Sequence, residues 1–302
     1  DPINQRATGR RDVANVVSDL RHHVEEHGLS RFHIADAELN LPYEDHVLRV
    51  CAGIRDGGLA GRISWRGYFN VTPFSDALID GLLSAGCDSP SFAVDSFHDA
   101  GLRAHQKNFR SRHVHDLLGR LLARGPAVRP EVCLLFGAPG ETLAGIEENV
   151  RWMRHYADRG IQIAYSCGLR VYPNTPLGQR PLDRAHLYLP SGPLGGTGLH
   201  RFTPDELLRQ PVVYCEPLAP RELAHHLAER LGGHPNTGVF TDGRWPEARH
   251  STELRLFNVG VHRMAHGRFG PARDLLNQAL DANAGFDLAR TALRIIDRVN
   301  PD

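Results

Sequence analysis

The sequence is poor in cysteine and carries no excess charge, and each shortage excludes a class of protein. Its five cysteines are far apart and match no zinc or haem spacing. An odd number of cysteines in a chain of 302 residues argues against a disulfide framework and favours a reducing cytoplasm. Lys+Arg and Asp+Glu number 35 each, so bulk charge predicts neither a nucleic-acid surface nor a membrane surface.

Long hydrophobic runs are also missing. No apolar run reaches the roughly 18 residues of a transmembrane helix, and no signal-peptide core precedes the first predicted helix. We therefore expect a cytoplasmic protein with no membrane partner and no nucleic-acid partner. The hydrophobic content of 41% is ordinary for a globular protein, and the length allows about two domains or one extended barrel.

Strand-like and helical segments alternate between residues 11 and 172. Five short apolar runs are separated by segments with apolar residues at helical spacing; they are "RFHIAD", "RISWRGYFN", "SFAVDS", "EVCLLFG" and "IQIAYSCGLRVYP". Alternation at this pitch predicts βαβ units and a parallel sheet. Because the first element, at 12–28, is a helix, we expect that the strand before it is missing and that one βα unit is incomplete.

The character of the sequence changes after about residue 173. Proline and glycine are frequent up to residue 218, a helix is predicted at 219–231, and a turn-rich stretch follows at 232–247. The last fifty residues or so resemble a single tetratricopeptide-type helical hairpin, which we interpret as a lid or packing arm because solenoids need about three repeats. The sequence therefore predicts a parallel α/β region with one incomplete βα unit, an irregular connector with one helix and a helical hairpin, at 1–180, 181–247 and 248–302.

Polar side chains or glycines follow each of the five predicted strands. In parallel α/β sheets and barrels, ligands bind at these carboxyl ends of the strands. Carboxylates suit an amine or a ribose diol, and glycine lets the backbone approach a ligand closely. Each residue alone could equally cap a helix or form a turn, so the prediction of a site rests on their occurrence at five successive strand ends: Asp36, Glu38 and Asn40; Tyr68 and Asn70; Asp95 and Ser96; Gly137, Gly140, Glu141 and Thr142; Arg170 and Tyr172.

Several common motifs are absent from the sequence. "GAPGET" does not supply the G-x-G-x-x-G of a dinucleotide-binding fold, and no other stretch does so in context. The sequence has no P-loop, no G-x-S-x-G and no H-E-x-x-H. A Ser/His/Asp triad stays open, because residue order alone does not exclude it, although no serine lies in a nucleophile-elbow context.

Four motifs, in order, resemble the second half of a radical S-adenosylmethionine (SAM) domain. They are "FHIADAELNLPYEDHVLRVC", "LLSAGCDSPSFAVDSFHDAGLRAHQK", "LLFGAPGET" and "GLRVYPNTPLG", and the resemblance covers about residues 1–180. Among cobalamin-dependent members, the sequence resembles the tryptophan 2-C-methyltransferase type of thiopeptide biosynthesis. The resemblance implies an α/β fold, a partial (β/α)6 TIM-like barrel of the radical SAM type with its first strand missing, followed by a helical C-terminal region.

The sequence departs from this superfamily at the iron–sulfur cluster. Members carry a C-x-x-x-C-x-x-C loop whose thiolates hold a 4Fe–4S cluster, and no three cysteines here have that spacing. "DPINQRATGRRDVANVVSDL" resembles the segment that follows the third cysteine of the loop. We therefore expect a fragment that lacks the cluster loop and the N-terminal cobalamin domain. The alternative is a homologue that lost the chemistry and kept the barrel.

The resemblance also implies roles for particular residues. It implies contacts with the amino group, ribose, carboxylate and adenine of SAM by Asp36, Glu38, Asp95, Ser96, Lys107, Gly137, Gly140, Glu141, Leu169, Arg170 and Val171. Tyr172 and Tyr68 are expected to face substrate, and Glu38 or Tyr68 is the candidate acid/base residue. No residue is predicted to bind a metal.

The implied activity is a C-methyltransferase of natural product biosynthesis. It would transfer methyl from SAM, through cobalamin, to an unactivated or aromatic carbon of a small-molecule or peptide substrate. The implied cofactors are SAM, a 4Fe–4S cluster and cobalamin, and the ligands of the last two lie outside this sequence. Two alternatives remain: a non-catalytic radical SAM-like scaffold whose C-terminal hairpin binds a partner protein, and a radical SAM enzyme of another reaction type.

Overall fold

The computed structural model describes residues 9–173, 175–189, 191–209, 211–239, 252–265 and 267–300. The segment 1–8, which resembles the region after a cluster loop, lies outside the described residues, as does the end of the turn-rich stretch. The chain folds as two compact units, Asp1–Thr237 and Gly238–Asp302.

Twelve strands are present within the described residues. They are β1 Arg31–Ile34, β2 Ser64–Phe69, β3 Cys87–Asp95, β4 Glu131–Phe136, β5 Gln162–Cys167, β6 Leu169–Arg170, β7 Leu182–Asp183, β8 Leu187–Leu189, β9 Gly192–Pro193, β10 Leu199–His200, β11 Val213–Tyr214 and β12 Thr237–Val239. The largest sheet has six strands in the order β1-β2-β3-β4-β5-β12.

The helices that the structure describes are α1 Val13–His27, α2 Asp45–Asp56, α3 Asp76–Ser84, α4 Asp99–Ala104, α5 Ser111–Leu122, α6 Leu143–Ala157, α7 Pro204–Arg209, α8 Pro220–Leu231, α9 Thr252–Ala265, α10 Phe269–Ala282 and α11 Asp287–Val299. Short 3-10 turns occupy Gly125–Ala127 and Arg184–His186. None of these described helices combines the length and the apolar character needed to cross a membrane.

The order of the first five strands confirms the predicted parallel α/β fold. Each of β1 to β4 pairs in parallel with the next strand along the chain. Helices α2 to α6 lie in the connections between these strands, as βαβ units require. The sixth strand, β12, was not predicted, because its three residues lie in a turn-rich stretch with no apolar run.

The two faces of the largest sheet differ in chemistry, because alternate residues of a strand point to opposite faces. One face is buried and apolar, with Trp65, Phe69, Phe92, Val132, Leu134, Phe136 and Ile163. Burying each of these side chains contributes about 1.5–3 kcal/mol. The opposite face, here called the polar face, carries His33, Arg66, Tyr68, Ser89, Ser91, Glu131 and Cys133, which the strand register places on one side.

The region after β5 is more ordered than the sequence predicted. One helix and irregular backbone were expected at 181–247, whereas the structure has α7, α8, a four-stranded sheet in the order β6-β11-β8-β9 and the pair β10-β7. Most of these strands have two or three residues, too few to show an alternating pattern. Their shared core is apolar and consists of Val171, Leu182, Leu187, Phe202, Leu207, Val212 and Tyr214.

In the second unit the structure describes three helices, α9 to α11, where the sequence predicted a helical hairpin. Helices α9 to α11 share a core of small and aliphatic side chains, namely Ala272, Leu276, Ala279, Ala289, Ala292 and Ile296. Gly260 lets α9 approach α10 closely, since a Cβ there would meet Leu276 at 3.1 Å. A role for this unit as a lid stays a prediction.

Candidate functional site

Residues that were predicted for the site follow or end four neighbouring strands at one edge of the largest sheet. Because β1 to β5 are parallel neighbours, their carboxyl ends share that edge. Asp36 follows β1, Asn70 follows β2, Asp95 ends β3 and Gly137 follows β4. These are four of the five strand ends at which the sequence predicted a common ligand site.

Hydrogen bonds join the ends of β1 and β2. The buried side chain of Asn40 accepts from the backbone N–H of Asn70 at 2.8 Å and donates to its carbonyl at 2.9 Å. Asn70 Nδ2 donates to Glu38 Oε1 at 2.9 Å, which orients the Glu38 carboxylate. Asp36 is exposed, and one of its oxygens accepts from the N–H of Ala37 at 2.6 Å. This end of the sheet therefore presents two carboxylates, one of them fixed by an amide.

The end of β3 has an unusual backbone. Asp95 has a φ of +63°, in the left-handed region that non-glycine residues seldom adopt, and the register with β4 shifts between Ala93 and Asp95. Lys107 Nζ lies 2.7 Å from Asp95 Oδ2 and donates to the Ala93 carbonyl at 2.7 Å. The ammonium group therefore satisfies the carbonyl at the bulge and neutralises the carboxylate. Lys107, a candidate for the cofactor carboxylate, is thus engaged by Asp95.

Ser96 directly follows β3. Its side chain is buried, with 1% of the residue exposed. The hydroxyl donates to Asn149 Oδ1 at 3.2 Å and accepts from the N–H of His98 at 3.2 Å. In this structure Ser96 therefore supports the loop after β3, and its contact with a ligand stays a prediction.

The turn after β4 needs its two glycines for different reasons. Gly137 has a φ of +98°, and a Cβ there would lie 2.6 Å from Cys215 Sγ. Gly140 has a φ of +83°, and a Cβ there would meet nothing within 4 Å. Gly137 thus permits close packing below the turn, whereas Gly140 leaves open space beside it.

Two carboxylates hold this turn, and the sequence predicted only one of them. Glu141 accepts a hydrogen bond from the N–H of Gly137, and Glu216 accepts one from the N–H of Gly140. Tyr214 donates its hydroxyl proton to Glu216 Oε2 at 2.8 Å, and His186 Nε2 lies 3.3 Å from the same oxygen. Glu216 belongs to no recognised motif and is far from the turn in sequence, so its contact with the turn could not be predicted.

Burial raises the pKa of Glu141 to about 7. The hydrogen bonds from the backbone of Gly137 and Ala138 oppose this increase, and the nearby Glu216 carboxylate adds to it. The Glu141 carboxyl, which lies in the turn after β4, therefore gains or loses its proton near neutral pH.

Residues 169–172 pass from the sheet to the surface. Strand β6 pairs antiparallel with β11, so Leu169 lies opposite Tyr214 and Arg170 opposite Val213. Val171 is buried, whereas Tyr172 is 51% exposed with the Arg170 guanidinium 5.2 Å from its ring centroid. Contact of these residues with cofactor or substrate stays a prediction.

Tyr68 lies on the polar face, half-buried, near the edge. Burial raises its pKa, and the Cys133 thiol and Glu131 carboxyl add to this effect, while the Arg66 guanidinium opposes it. The phenol is therefore protonated at neutral pH and can donate a hydrogen bond to a ligand.

The residues at this edge fit SAM but not a metal cluster. Carboxylates suit the ammonium group of SAM, and the open space at Gly140 suits a planar base beside the turn. Within the ranges that the structure describes, no three His, Cys, Asp or Glu side chains are placed to hold a metal ion. An iron–sulfur cluster therefore does not fit these residues, and we assign no reaction step to one.

Comparison with solved structures shows that the fold is similar to the TIM-like barrel of radical SAM enzymes. The chain is similar to the radical SAM methyltransferase TsrM from Kitasatospora setae with tryptophan substrate and a SAM analogue bound. The TM-score is 0.61 at 22% identity, covering 77% of this chain and 49% of that one. For TsrM with cobalamin and a 4Fe–4S cluster bound, the TM-score is 0.61 at 20% identity, covering 91% and 57%.

At this identity the similarity shows the fold, and it confirms the resemblance predicted from the sequence at that level. This chain spans about half the length of the TsrM structures it matches. No model of a protein family matches the sequence, and no curated protein does.

Proposed function

We propose that this chain contributes the SAM-binding barrel of a cobalamin-dependent radical SAM C-methyltransferase. The observation that carries the proposal is the convergence of five parallel strand ends, with Glu38, Asp95 and the Gly137–Gly140 turn, at one edge of the sheet. The similarity to TsrM with a SAM analogue and tryptophan bound supports it.

In this proposal each group at the edge has a separate task. Glu38, held by Asn70, receives the ammonium group of SAM. The turn after β4 lies against the adenine, and the edge of the polar face at Tyr68 receives the substrate carbon that is methylated. SAM supplies the methyl group when bound. Cobalamin is part of the proposal only because the sequence resembles cobalamin-dependent enzymes, and no described residue is assigned to it.

Glu38→Gln tests this function. The amide keeps an oxygen for the Asn70 hydrogen bond, so the fold is retained, but the charge that attracts the ammonium group is lost. A charge-assisted hydrogen bond contributes about 1.5–3 kcal/mol, so we expect S-adenosylhomocysteine to bind at least about tenfold more weakly in equilibrium dialysis.

Glu26→Gln is the matched control, since Glu26 is exposed on α1 and its change leaves the edge intact. Circular dichroism spectra of both variants should match the wild type. Equal affinity for S-adenosylhomocysteine in all three proteins would remove Glu38 from the site. Failure of the wild type to bind would favour the scaffold alternative.

A further inference from the structure

Arg66 is a cation on the polar face, on β2, which is the second strand from the β1 edge of the sheet. Its partner residue across the β1–β2 ladder is His33, so the two side chains lie beside each other. Arg66 Nε donates to His33 Nδ1 at 3.0 Å. Both residues are exposed, and the part of the chain that the structure describes shows no carboxylate paired with the Arg66 guanidinium.

The hydrogen bond to His33 uses Nε and leaves the outer nitrogens of the guanidinium available. A guanidinium fixed at one edge presents a planar pair of N–H donors, which matches the two oxygens of a carboxylate. The side chain is therefore oriented before any ligand arrives, and less rotamer entropy is lost on binding.

His33 is suited to hold this arrangement. Partial desolvation of the ring lowers its pKa, and the Arg66 guanidinium lowers it further. At neutral pH the imidazole is therefore uncharged, with Nδ1 accepting from Arg66 and the proton on Nε2. The ring adds no second positive charge, and it also packs edge to face against Tyr68 with ring centroids 5.2 Å apart.

The positions of Arg66 and Tyr68 along β2 indicate how a bound molecule would be oriented. Tyr68 is two residues nearer the carboxyl end of β2 than Arg66, which corresponds to about 6–7 Å along the strand. A carboxylate bound by Arg66 would place the rest of the molecule beside Tyr68, towards the edge where Glu38 and the glycine turn lie. The protonated Tyr68 hydroxyl can donate a hydrogen bond to the same molecule.

We propose that Arg66, positioned by His33 and flanked by Tyr68, binds the carboxylate of a small-molecule substrate. The proposal rests on the proposed function, since it places the substrate between this subsite and the SAM-binding edge. The chemical class is a molecule with a planar carboxylate and a body that extends towards the strand ends.

Titration with benzoate tests the subsite, with the ¹⁵Nε resonance of Arg66 as the reporter. Arg66→Lys identifies this resonance by its absence. We expect benzoate at millimolar concentration to shift the signal in a saturable manner, whereas benzamide, which has the same shape without the charge, leaves it unchanged. A guanidinium also binds phosphate in a bidentate manner, but inorganic phosphate has no body to lie beside Tyr68, so it should act more weakly than benzoate.

Saturation-transfer difference spectra of benzoate give the affinities of the variants. Arg66→Gln should weaken benzoate binding by at least about tenfold, as expected for a lost charged pair. The matched control is Arg62→Gln, since Arg62 is exposed in the loop before β2, and it should leave the affinity unchanged. Equal responses to benzoate and benzamide, stronger binding of phosphate, or retained affinity in Arg66→Gln would each overturn the proposal.

A parallel titration with S-adenosylhomocysteine separates this inference from the function on which it rests. Binding of S-adenosylhomocysteine without a benzoate response at Arg66 would refute the carboxylate subsite but would not contradict the proposed SAM site. A benzoate response without binding of S-adenosylhomocysteine would refute the proposed function, and the subsite as part of a methyltransferase would go with it.

Discussion

Lys107, the only lysine of the chain, compensates for an unfavourable backbone at Asp95. The left-handed φ of a non-glycine residue costs of the order of 1–3 kcal/mol. Lys107 offsets this cost with an ion pair and a hydrogen bond to the bulge, from side chains that are only 19% and 18% exposed. The strain lies where the candidate ligand site lies, at the end of β3.

We expect Lys107→Met to lower the free energy of unfolding by about 2 kcal/mol, between the values of exposed and fully buried ion pairs. Urea denaturation measures this change. A double-mutant cycle with Asp95→Asn isolates the pair and should give a coupling energy of about 1 kcal/mol or more. A coupling energy near zero would show that the two residues act independently.

Glu141 should make stability depend on pH. Its pKa is raised from 4.5 to about 7 in the folded protein, so the folded state binds more protons than the unfolded state between these values. Stability from this group is therefore fully present below pH 4.5 and is lost as pH rises through 7, by up to about 3 kcal/mol.

The variant Glu141→Gln imitates the protonated form and should remove this loss. Urea denaturation of both proteins at pH 5 and pH 8 is the measurement, and the difference between the two pH values should shrink in the variant. The same pH difference in the two proteins would mean that Glu141 is not the group responsible.

At the residue scale, site residues that follow a predicted strand could be predicted from the sequence. Residues that the fold brings in from distant segments, or that lie inside a strand, could not. Glu38, Asp95 and Glu141 were predicted because each comes just after an apolar run or ends one. Glu216 follows a strand of two residues and reaches the turn only through the fold. Arg66 lies inside a strand, where no rule about strand ends selects it.

Among the secondary-structure elements, the turn after β4 depends most on a distant segment. Strand β11 ends two residues before Glu216, whose backbone N–H also donates to the Gly137 carbonyl at 3.4 Å. The connector is therefore part of the candidate site, because one of its carboxylates holds the turn that the proposal assigns to adenine.

Replacing Glu216 with alanine should loosen that turn. The N–H of Gly140 loses its acceptor, at a cost of about 1–1.5 kcal/mol. We expect amide hydrogen exchange at Gly140 to accelerate by about tenfold and S-adenosylhomocysteine to bind more weakly. Glu229→Ala, on the exposed side of α8, is the control. Unchanged exchange at Gly140 would show that other contacts hold the turn.

Long elements were predictable and short ones were not. Strand β4 is an almost continuous apolar run whose residues are all buried or half-buried, and such a run stands out in the sequence. Strands β6 to β11 have at most three residues, and their pairing follows from tertiary contacts around a small core. Local pattern therefore identified the largest sheet and not the small sheets beside it.

At the scale of the whole molecule, the comparison with solved structures shows a shared fold. Identity of 20–22% to TsrM leaves most side chains different, yet the TM-score of 0.61 shows the same path of the chain over the matched part. A fold alone does not fix a reaction. We therefore infer SAM binding from the groups at the strand ends.

Photoaffinity labelling with 8-azido-S-adenosylhomocysteine tests that claim most directly, with the labelled peptides located by mass spectrometry. The account predicts labelling within residues 137–142 or 169–171, and its loss when unmodified S-adenosylhomocysteine is present in excess. Labelling confined to other segments, or labelling that excess S-adenosylhomocysteine does not suppress, would contradict a nucleoside site at this edge of the sheet.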